Sequence, residues 1–174
     1  MSRPVRRRPG RPLILAAAVL ALMAVRAWQW SARPVPPQRL DEGVYQVERV
    51  VDGDTLLLTN HARIRLKGID TPETVKPDHP VERWGPEAAE FTRQFVSGGE
   101  IRLQFDRERK DKYDRFLAYV WVEDQLLNEA LVRAGLAHAV TFFPISPAMK
   151  RRLLGAQEEA RAARRAIWSE PFEP

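Results

Sequence analysis

Three short segments of the sequence carry acidic and basic side chains in an order that suits the hydrolysis of phosphodiester bonds. The segments are 52–55 (Asp-Gly-Asp-Thr), 65–73 (Arg-Leu-Lys-Gly-Ile-Asp-Thr-Pro-Glu) and 111–115 (Asp-Lys-Tyr-Asp-Arg). Asp54 and Asp70 offer carboxylate oxygens, the ligands that hard divalent cations prefer. Glu73 is a candidate base toward water. Arg65 and Arg115 are candidate phosphate clamps, because a guanidinium binds phosphate through paired hydrogen bonds.

Each segment taken alone has an ordinary structural explanation. Asp52 and Gly53 predict a hairpin turn between apolar stretches, because Gly53 tolerates a positive φ. Pro72 disfavours helical geometry at Thr71, so the second segment also suits the end of a strand. The functional interpretation therefore depends on finding acids, base and arginines together in one ordered set.

The two acids also indicate which metal the site would take. Adjacent strand ends would bring Asp54 and Asp70 together, and two close carboxylates cost free energy unless a cation lies between them. Two carboxylates with water completing the shell favour a flexible, oxygen-rich Ca²⁺ site. The three histidines lie outside the three segments, which argues against a Zn²⁺ site.

The chain resembles the staphylococcal nuclease (thermonuclease) family over about residues 44–170. The resemblance rests on six segments in the family's order, at 51–55, 65–73, 84–88, 111–119, 128–137 and 167–170. It implies an α+β OB-fold, a five-stranded β-barrel with three helices, and a monomer. In this chain a hydrophobic helix near the N-terminus would precede that barrel.

The resemblance also implies an activity and a role for each candidate residue. The implied metal ligands are Asp54, Asp70 and the backbone carbonyl of Thr71, the implied catalytic residues are Arg65, Glu73 and Arg115, and the implied nucleotide-binding residues are Lys112, Tyr113 and Phe143. The implied activity is that of a Ca²⁺-dependent endonuclease that hydrolyses DNA and RNA and leaves 3′-phosphate ends.

Three positions depart from the family's pattern near the predicted site. Asp114 stands where the family usually has a glycine, which adds a negative charge beside Arg115. Thr141 and Phe143 stand where the family has two tyrosines that contact the nucleotide. The contact at Thr141 is therefore lost, and the contact at Phe143 keeps the aromatic ring but not the hydroxyl. These departures bear on substrate binding, whereas all the predicted catalytic and metal-binding residues are present.

The positive charge of the chain is concentrated near the N-terminus. The formal net charge is +5, but residues 1–40 hold eight arginines and no acid, so the remainder is formally −3. Net charge therefore gives no argument for nucleic-acid binding by residues 41–174, whose surface would have to be basic only locally.

Residues 1–30 are predicted to be a signal peptide or an N-terminal membrane anchor. Five arginines precede an apolar run at 13–25, as in a secretory signal. Trp28 and Trp30 follow that run and would suit the aromatic belt of an uncleaved anchor. Both alternatives predict that the rest of the chain lies outside the cytoplasm. The Pro-rich segment 31–41 is then a stiff linker, and 42–170 is the predicted nuclease domain.

Within this domain the hydrophobic pattern predicts five strands and three helices. The strands are expected at 44–51, 55–59, 62–69, 101–106 and 116–122, and the helices at 85–96, 126–134 and 147–166, with Ser146 as an N-cap. The segments 74–83 and 107–115 are expected to be loops. Asp70 would then end the third strand, and the second loop would carry Arg115.

Two other function classes fit parts of the sequence. A catalytically weak nucleic-acid-binding OB-fold module, tethered to the membrane, would use the same barrel but would not need the catalytic set. A membrane-tethered structural protein would explain residues 1–40 and would need neither Asp70 nor Glu73. Loss of nucleic acid that depends on a metal ion would distinguish the enzyme from both.

Overall fold

The computed structural model describes residues 11–31, 35–74 and 80–169, which fall into two compact units, Met1–Val35 and Pro36–Pro174. The first unit contains helix α1, Arg11–Ser31, on which Leu20, Leu22 and Met23 are exposed. No helix among the described residues is both long enough and apolar enough to cross a membrane. Cleavage, anchoring and the stiff linker remain predictions. Parts of the predicted segments 1–30, 31–41, 74–83 and 42–170 lie outside the described residues, at 1–10, 32–34, 75–79 and 170.

The second unit is built on a closed barrel. Its strands are β1 Gly43–Asp52, β2 Thr55–Leu58, β3 Arg63–Leu66, β4 Ile69–Asp70, β5 Glu100–Lys110, β6 Phe116–Val122, β7 Gln125–Leu126 and β8 His138–Ala139. Five of them form the barrel in the order β3-β2-β1-β5-β6, and a parallel pairing of β3 with β6 closes it. The prediction of a five-stranded OB-type barrel in an α+β domain is confirmed.

Alternating side chains explain why these segments form strands with one buried face. Ile64 and Leu66 point into the core, while the neighbouring Arg63 and Arg65 point away from it. This period of two is what a half-buried strand requires. The same alternation therefore places Arg65 on the outer surface of the barrel, near the end of its strand.

Three helices surround the barrel, as predicted. They are α2 Gly85–Phe95, α3 Leu127–Arg133 and α4 Pro147–Ala162. Ser146 is the N-cap of α4, because its side chain accepts a hydrogen bond from the Met149 N–H. The predicted end of α4 at 166 is wrong, because Arg164 and Ala166 have positive φ and interrupt the helix. A 3₁₀ turn follows at Ala166–Trp168.

Two predicted element boundaries near the site are also wrong. β3 ends at Leu66, and a turn through Gly68, whose φ is +80°, leads into the separate strand β4. Asp70 therefore lies in β4, where it pairs with His138 of β8. β5 continues to Lys110, which pairs with Phe116, so the predicted charged loop is shortened to residues 111–115.

Candidate active site

Asp54 is the buried acid of the site and lies in the tight turn between β1 and β2. Its Oδ1 accepts a hydrogen bond from the Thr55 hydroxyl at 3.1 Å, and its Oδ2 accepts one from the Thr71 N–H at 3.0 Å. The Asp54 carbonyl accepts the Leu66 N–H at 2.9 Å. The turn is thereby joined to the end of β3 and to the segment after β4, which fixes the position of the carboxylate.

The Arg65 guanidinium bridges the two acids that the sequence predicts as metal ligands. Nη1 contacts Asp54 Oδ2 and Nη2 contacts Asp70 Oδ1. Burial lowers the pKa of Arg65, while the Asp70 carboxylate opposes that change and Arg115 adds to it. The influence of Arg115 on this pKa means that the two predicted phosphate-binding arginines interact electrostatically.

The carboxylate oxygens of the two acids beside Arg65 are of the kind that bind a hard cation. Asp54 and Asp70 lie close enough to share one guanidinium, so two negative charges face a single positive one. The buried Thr71 hydroxyl has no hydrogen-bond partner among the described residues. Carboxylate and carbonyl oxygens suit Ca²⁺. Among the residues that the structure describes, no group of three or more His, Cys, Asp or Glu side chains is arranged to hold a metal ion.

Glu73 lies on a segment that Asp52 holds in place. The Asp52 carboxylate accepts hydrogen bonds from the Thr74 hydroxyl at 2.7 Å and from the Gly53 N–H at 2.8 Å. The Glu73 N–H donates to the Glu82 carboxylate at 3.1 Å. Burial and the nearby negative charge of Asp52 raise the pKa of Glu73. A raised pKa suits a general base, because the proton it accepts is then held more firmly near neutral pH.

The structure shows a different reason for Gly53 in the turn between β1 and β2 than the sequence suggested. The φ of Gly53 is not positive, so the expected left-handed geometry is wrong. A Cβ at this position would lie 2.8 Å from the Thr71 hydroxyl oxygen and 2.9 Å from Ala88 Cβ. Glycine is needed because the turn is packed against the segment that carries Thr71 and against α2.

Arg115 is oriented by Asp111, which sequence reasoning treated only as part of a motif. The Asp111 carboxylate accepts hydrogen bonds from the Tyr113 and Arg115 N–H groups and from Arg115 Nε, at 2.8, 3.0 and 2.7 Å. One carboxylate therefore fixes both the turn and the guanidinium. A carboxylate three or four residues before an arginine in a short loop was the only signal of this role.

Asp114, the departure from the family's glycine, faces Lys110. Its φ is 62°, a left-handed geometry that aspartate tolerates better than most side chains. Its carboxylate accepts a hydrogen bond from Lys110 Nζ at 2.6 Å. The added negative charge is therefore compensated within the loop, while Asp111 pairs with Arg115.

A cavity of about 600 Å³ collects most of the predicted site residues. The predicted residues that line it are Arg65, Asp70, Lys112, Tyr113, Arg115 and Phe143. Asp54, Thr71 and Glu73 are not part of its wall, although Asp54 contacts Arg65, which does line the cavity. Thr141 does not line the cavity either, so its hydroxyl does not replace the family's tyrosine there.

Exposed aromatic rings lie on the cavity wall. Tyr113, Phe142 and Phe143 are 67%, 81% and 54% exposed, and the Phe142 and Phe143 ring centroids are 4.3 Å apart. The Lys112 ammonium lies 5.0 Å from the centre of the Tyr113 ring, and Arg115 lies 5.4 Å from it. Sequence reasoning missed Phe142, because an aromatic residue in a loop is exposed or buried according to tertiary packing alone.

Comparisons with known proteins show which family this chain is similar to. The family model described as staphylococcal nuclease homologue matches residues 63–170. The chain is 40% identical over 163 residues to the thermonuclease of Staphylococcus intermedius, covering 90% of this chain and 94% of that protein. It is 35% identical over 162 residues to the thermonuclease of Staphylococcus hyicus, covering 90% and 95%. It is 35% identical over 127 residues to the SPbeta prophage-derived endonuclease YokF of Bacillus subtilis, covering 71% and 43%.

Proposed function

The chain belongs to the staphylococcal nuclease family and is a hydrolase of phosphodiester bonds, and we infer that it is a Ca²⁺-dependent endonuclease acting on DNA and RNA. The observation that carries the inference is the arrangement around Arg65. This guanidinium contacts Asp54 and Asp70 and lines the same cavity as Arg115. Two acids and two arginines therefore lie at one site, where we propose that the acids bind a cation and the arginines bind a phosphate.

The proposed catalytic roles are those that the family resemblance implies, and the charges at the site are compatible with them. Glu73 would accept a proton from the attacking water, and its raised pKa matches that role. Arg65 and Arg115 would hold the phosphate oxygens as negative charge builds up in the transition state. Preorganised donors of this kind are typically worth on the order of 10²- to 10³-fold in rate when one is removed.

The metal site would consist of Asp54, Asp70 and the carbonyl of Thr71. Ca²⁺ bound there would act as a Lewis acid that polarises the phosphate. The products expected from the family resemblance are 3′-phosphate ends. This outcome requires the water oxygen to bond to phosphorus while the bond from phosphorus to the 5′ oxygen breaks, leaving a 5′-hydroxyl.

Nucleic acid would enter along the cavity that Lys112, Tyr113 and Phe143 line. The exposed rings offer stacking surfaces for bases, and the cations offer partners for the backbone, a combination used by proteins that bind single strands.

The predicted location outside the cytoplasm, as an anchored or a secreted monomer, rests on residues 1–30. Immunoblots of cell fractions test it, and a full-length cytosolic product would contradict it.

The decisive experiment is a cleavage assay with the full chain. We expect single-stranded and duplex DNA and RNA to be degraded with Ca²⁺ and to stay intact with a chelator. Glu73→Gln and Arg115→Ala should each lose at least about 100-fold in rate. The matched control is Arg107→Ala, because Arg107 is an exposed arginine on β5 that does not line the cavity.

The products and the variants also test the alternative function. End-labelling of the products distinguishes 3′-phosphate from 3′-hydroxyl ends. A folded protein that binds DNA tightly but leaves it intact with Ca²⁺ would contradict the nuclease proposal. It would support the catalytically weak, membrane-tethered nucleic-acid-binding module instead.

A further inference from the structure

Lys67 is a buried cation in the turn after β3. Its side chain is only 3% exposed. Its N–H donates to the Ala118 carbonyl at 2.9 Å, and its own carbonyl accepts the side-chain amide of Asn128, also at 2.9 Å. The backbone at this position is thus fixed on both sides, and the ammonium is held in a defined place.

The ammonium has fewer partners than a buried charge normally requires. Its Nζ donates to the Glu108 carbonyl at 2.9 Å and lies 3.8 Å from the Glu108 carboxylate, which is 47% exposed. An ammonium has three donors, and a buried charge is stable only when it is paired and hydrogen-bonded. The Lys67 ammonium makes one hydrogen bond within the described part of the chain, so it can donate to a further acceptor.

A neighbouring acid does not fill that need. Asp106 interacts with the charge of Lys67 but is bound to other donors. Its Oδ1 accepts the Arg107 N–H, and its Oδ2 accepts the Tyr119 hydroxyl and the Ser146 N–H. The acceptor with room to move is therefore the partly exposed carboxylate of Glu108.

Lys67 and Glu108 line the same cavity as Arg65 and Arg115. Arg65 is paired with Asp54 and Asp70, and Arg115 with Asp111. Among these three cations Lys67 has the most distant carboxylate partner. An incoming strand carries phosphate oxygens, which are better acceptors for an ammonium than a carboxylate at 3.8 Å.

We propose that Lys67 is a further phosphate-binding subsite, which takes the phosphodiester next to the one that is cleaved and displaces the Glu108 carboxylate. This subsite adds a substrate contact to the proposed nuclease site, and the inference rests on that proposed function. The family resemblance assigns a nucleotide-binding role to Lys112 and assigns no role to Lys67.

The test is the salt dependence of nucleic-acid binding. A fluorescent single-stranded oligothymidylate is titrated with the full chain in chelator, and the anisotropy is measured over a range of salt concentrations. Each phosphate neutralised on a single strand contributes about −0.7 to the slope of log affinity against log salt. Lys67→Met should therefore make the slope shallower by about 0.7, whereas a lysine that serves only the fold would leave it unchanged.

Two controls make the result specific. Lys150→Met is the same change at an exposed lysine of α4 that does not line the cavity, and it should leave the slope as in the wild type. Lys67→Met should remain folded, because the carboxylate that loses its partner, that of Glu108, is 47% exposed and is not left as an uncompensated buried charge. Thermal melting checks this. A folded Lys67→Met chain with the wild-type slope would overturn the proposal.

Glu108 provides an independent check. Glu108→Gln should strengthen binding by up to about fivefold, the scale of an exposed ion pair. The same change should have no effect in Lys67→Met, because the competition for Lys67 no longer exists. An undiminished gain in the Lys67→Met background would overturn the proposal.

Cleavage with Ca²⁺, measured on the same preparations, separates the two proposals. A chain that does not cleave but shows the expected change of slope would retain the subsite and contradict the nuclease. A chain that cleaves and shows no dependence on Lys67 would retain the nuclease and contradict the subsite. A wild-type chain that neither binds the oligonucleotide nor cleaves DNA with Ca²⁺ would contradict both.

Discussion

Lys110 is predicted to protect Arg115 from the negative charge of Asp114. The Lys110 ammonium donates to the Asp114 carboxylate at 2.6 Å and lies 4.5 Å from the centre of the Phe116 ring. Lys110→Met keeps the apolar part of the side chain and leaves Asp114 uncompensated beside Arg115. The guanidinium would then attract an incoming phosphate less strongly.

The magnitude follows from Coulomb's law for partly exposed groups. If the charges on adjacent loop residues are taken as roughly 7 Å apart, they interact by ~0.6 kcal/mol in water and by ~2.4 kcal/mol at an effective dielectric constant of about 20. Asp114 is mostly exposed, so the lower part of this range applies, about 1 kcal/mol. Lys110→Met should therefore lower kcat/KM about fivefold at low salt, and the loss should shrink at high salt.

Rescue by a second substitution separates charge from packing. Asp114→Asn removes the charge and keeps a side chain that tolerates left-handed geometry. The double variant Lys110→Met/Asp114→Asn should regain nearly wild-type kcat/KM. Steady-state kinetics on a single-stranded substrate at two salt concentrations measure both effects. If the double variant remained as slow as Lys110→Met, the reasoning would be refuted, and the contact with Phe116 would be the reason for Lys110.

Three further predictions concern stability and substrate binding. Gly53→Ala should lower the free energy of unfolding by about 1–3 kcal/mol in denaturant titrations, because the new methyl group would lie 2.8 Å from the Thr71 hydroxyl oxygen. Phe142→Ala should weaken binding of a single-stranded oligonucleotide by about 1–3 kcal/mol, the value of one stacked base, and should weaken an abasic strand much less; equal losses on both strands would argue against stacking. Burial raises the pKa of Asp106, but the hydrogen bonds from backbone N–H groups, including that of Ser146, outweigh burial and lower it. Because the pKa is lowered, the ionised carboxylate stabilises the fold above about pH 4, and this contribution is lost as the pH falls through the folded-state pKa. Asp106→Asn should therefore lower the free energy of unfolding by about 1–2 kcal/mol at neutral pH and by little in strong acid.

Local patterns in the sequence predicted the individual strands and the proximity of the two acids, whereas the barrel topology was implied by the family resemblance. Alternation around Ile64 predicted β3, and the expected position of Asp54 and Asp70 at adjacent strand ends predicted that the two carboxylates lie close together. The turn at Gly68 and the strand β4 could not be predicted, because the pairing of Asp70 with His138 joins segments far apart in the chain.

Interactions between distant segments also account for the other errors and omissions. The close packing at Gly53 depends on Ala88 in α2, so the turn alone suggested the wrong reason for the glycine. The burial of Lys67 depends on Asn128 and Glu108, and a lysine in a strand-end turn would otherwise be expected in solvent. The roles of individual site residues remain predictions until the variants are assayed.

The seam that closes the barrel has a consequence for how the enzyme acquires activity during folding. In the parallel pairing of β3 with β6, Arg65 lies opposite Leu117, two residues after Arg115, so this pairing sets the separation of the two arginines. The partners are about fifty positions apart in the chain, and contacts of such long range form late because loop closure costs entropy before the contact is gained. Helical content and hairpins should therefore return earlier in refolding than catalysis does. Activity should reappear with the closing of this seam and of the β1–β5 and β4–β8 pairings, which also join distant segments.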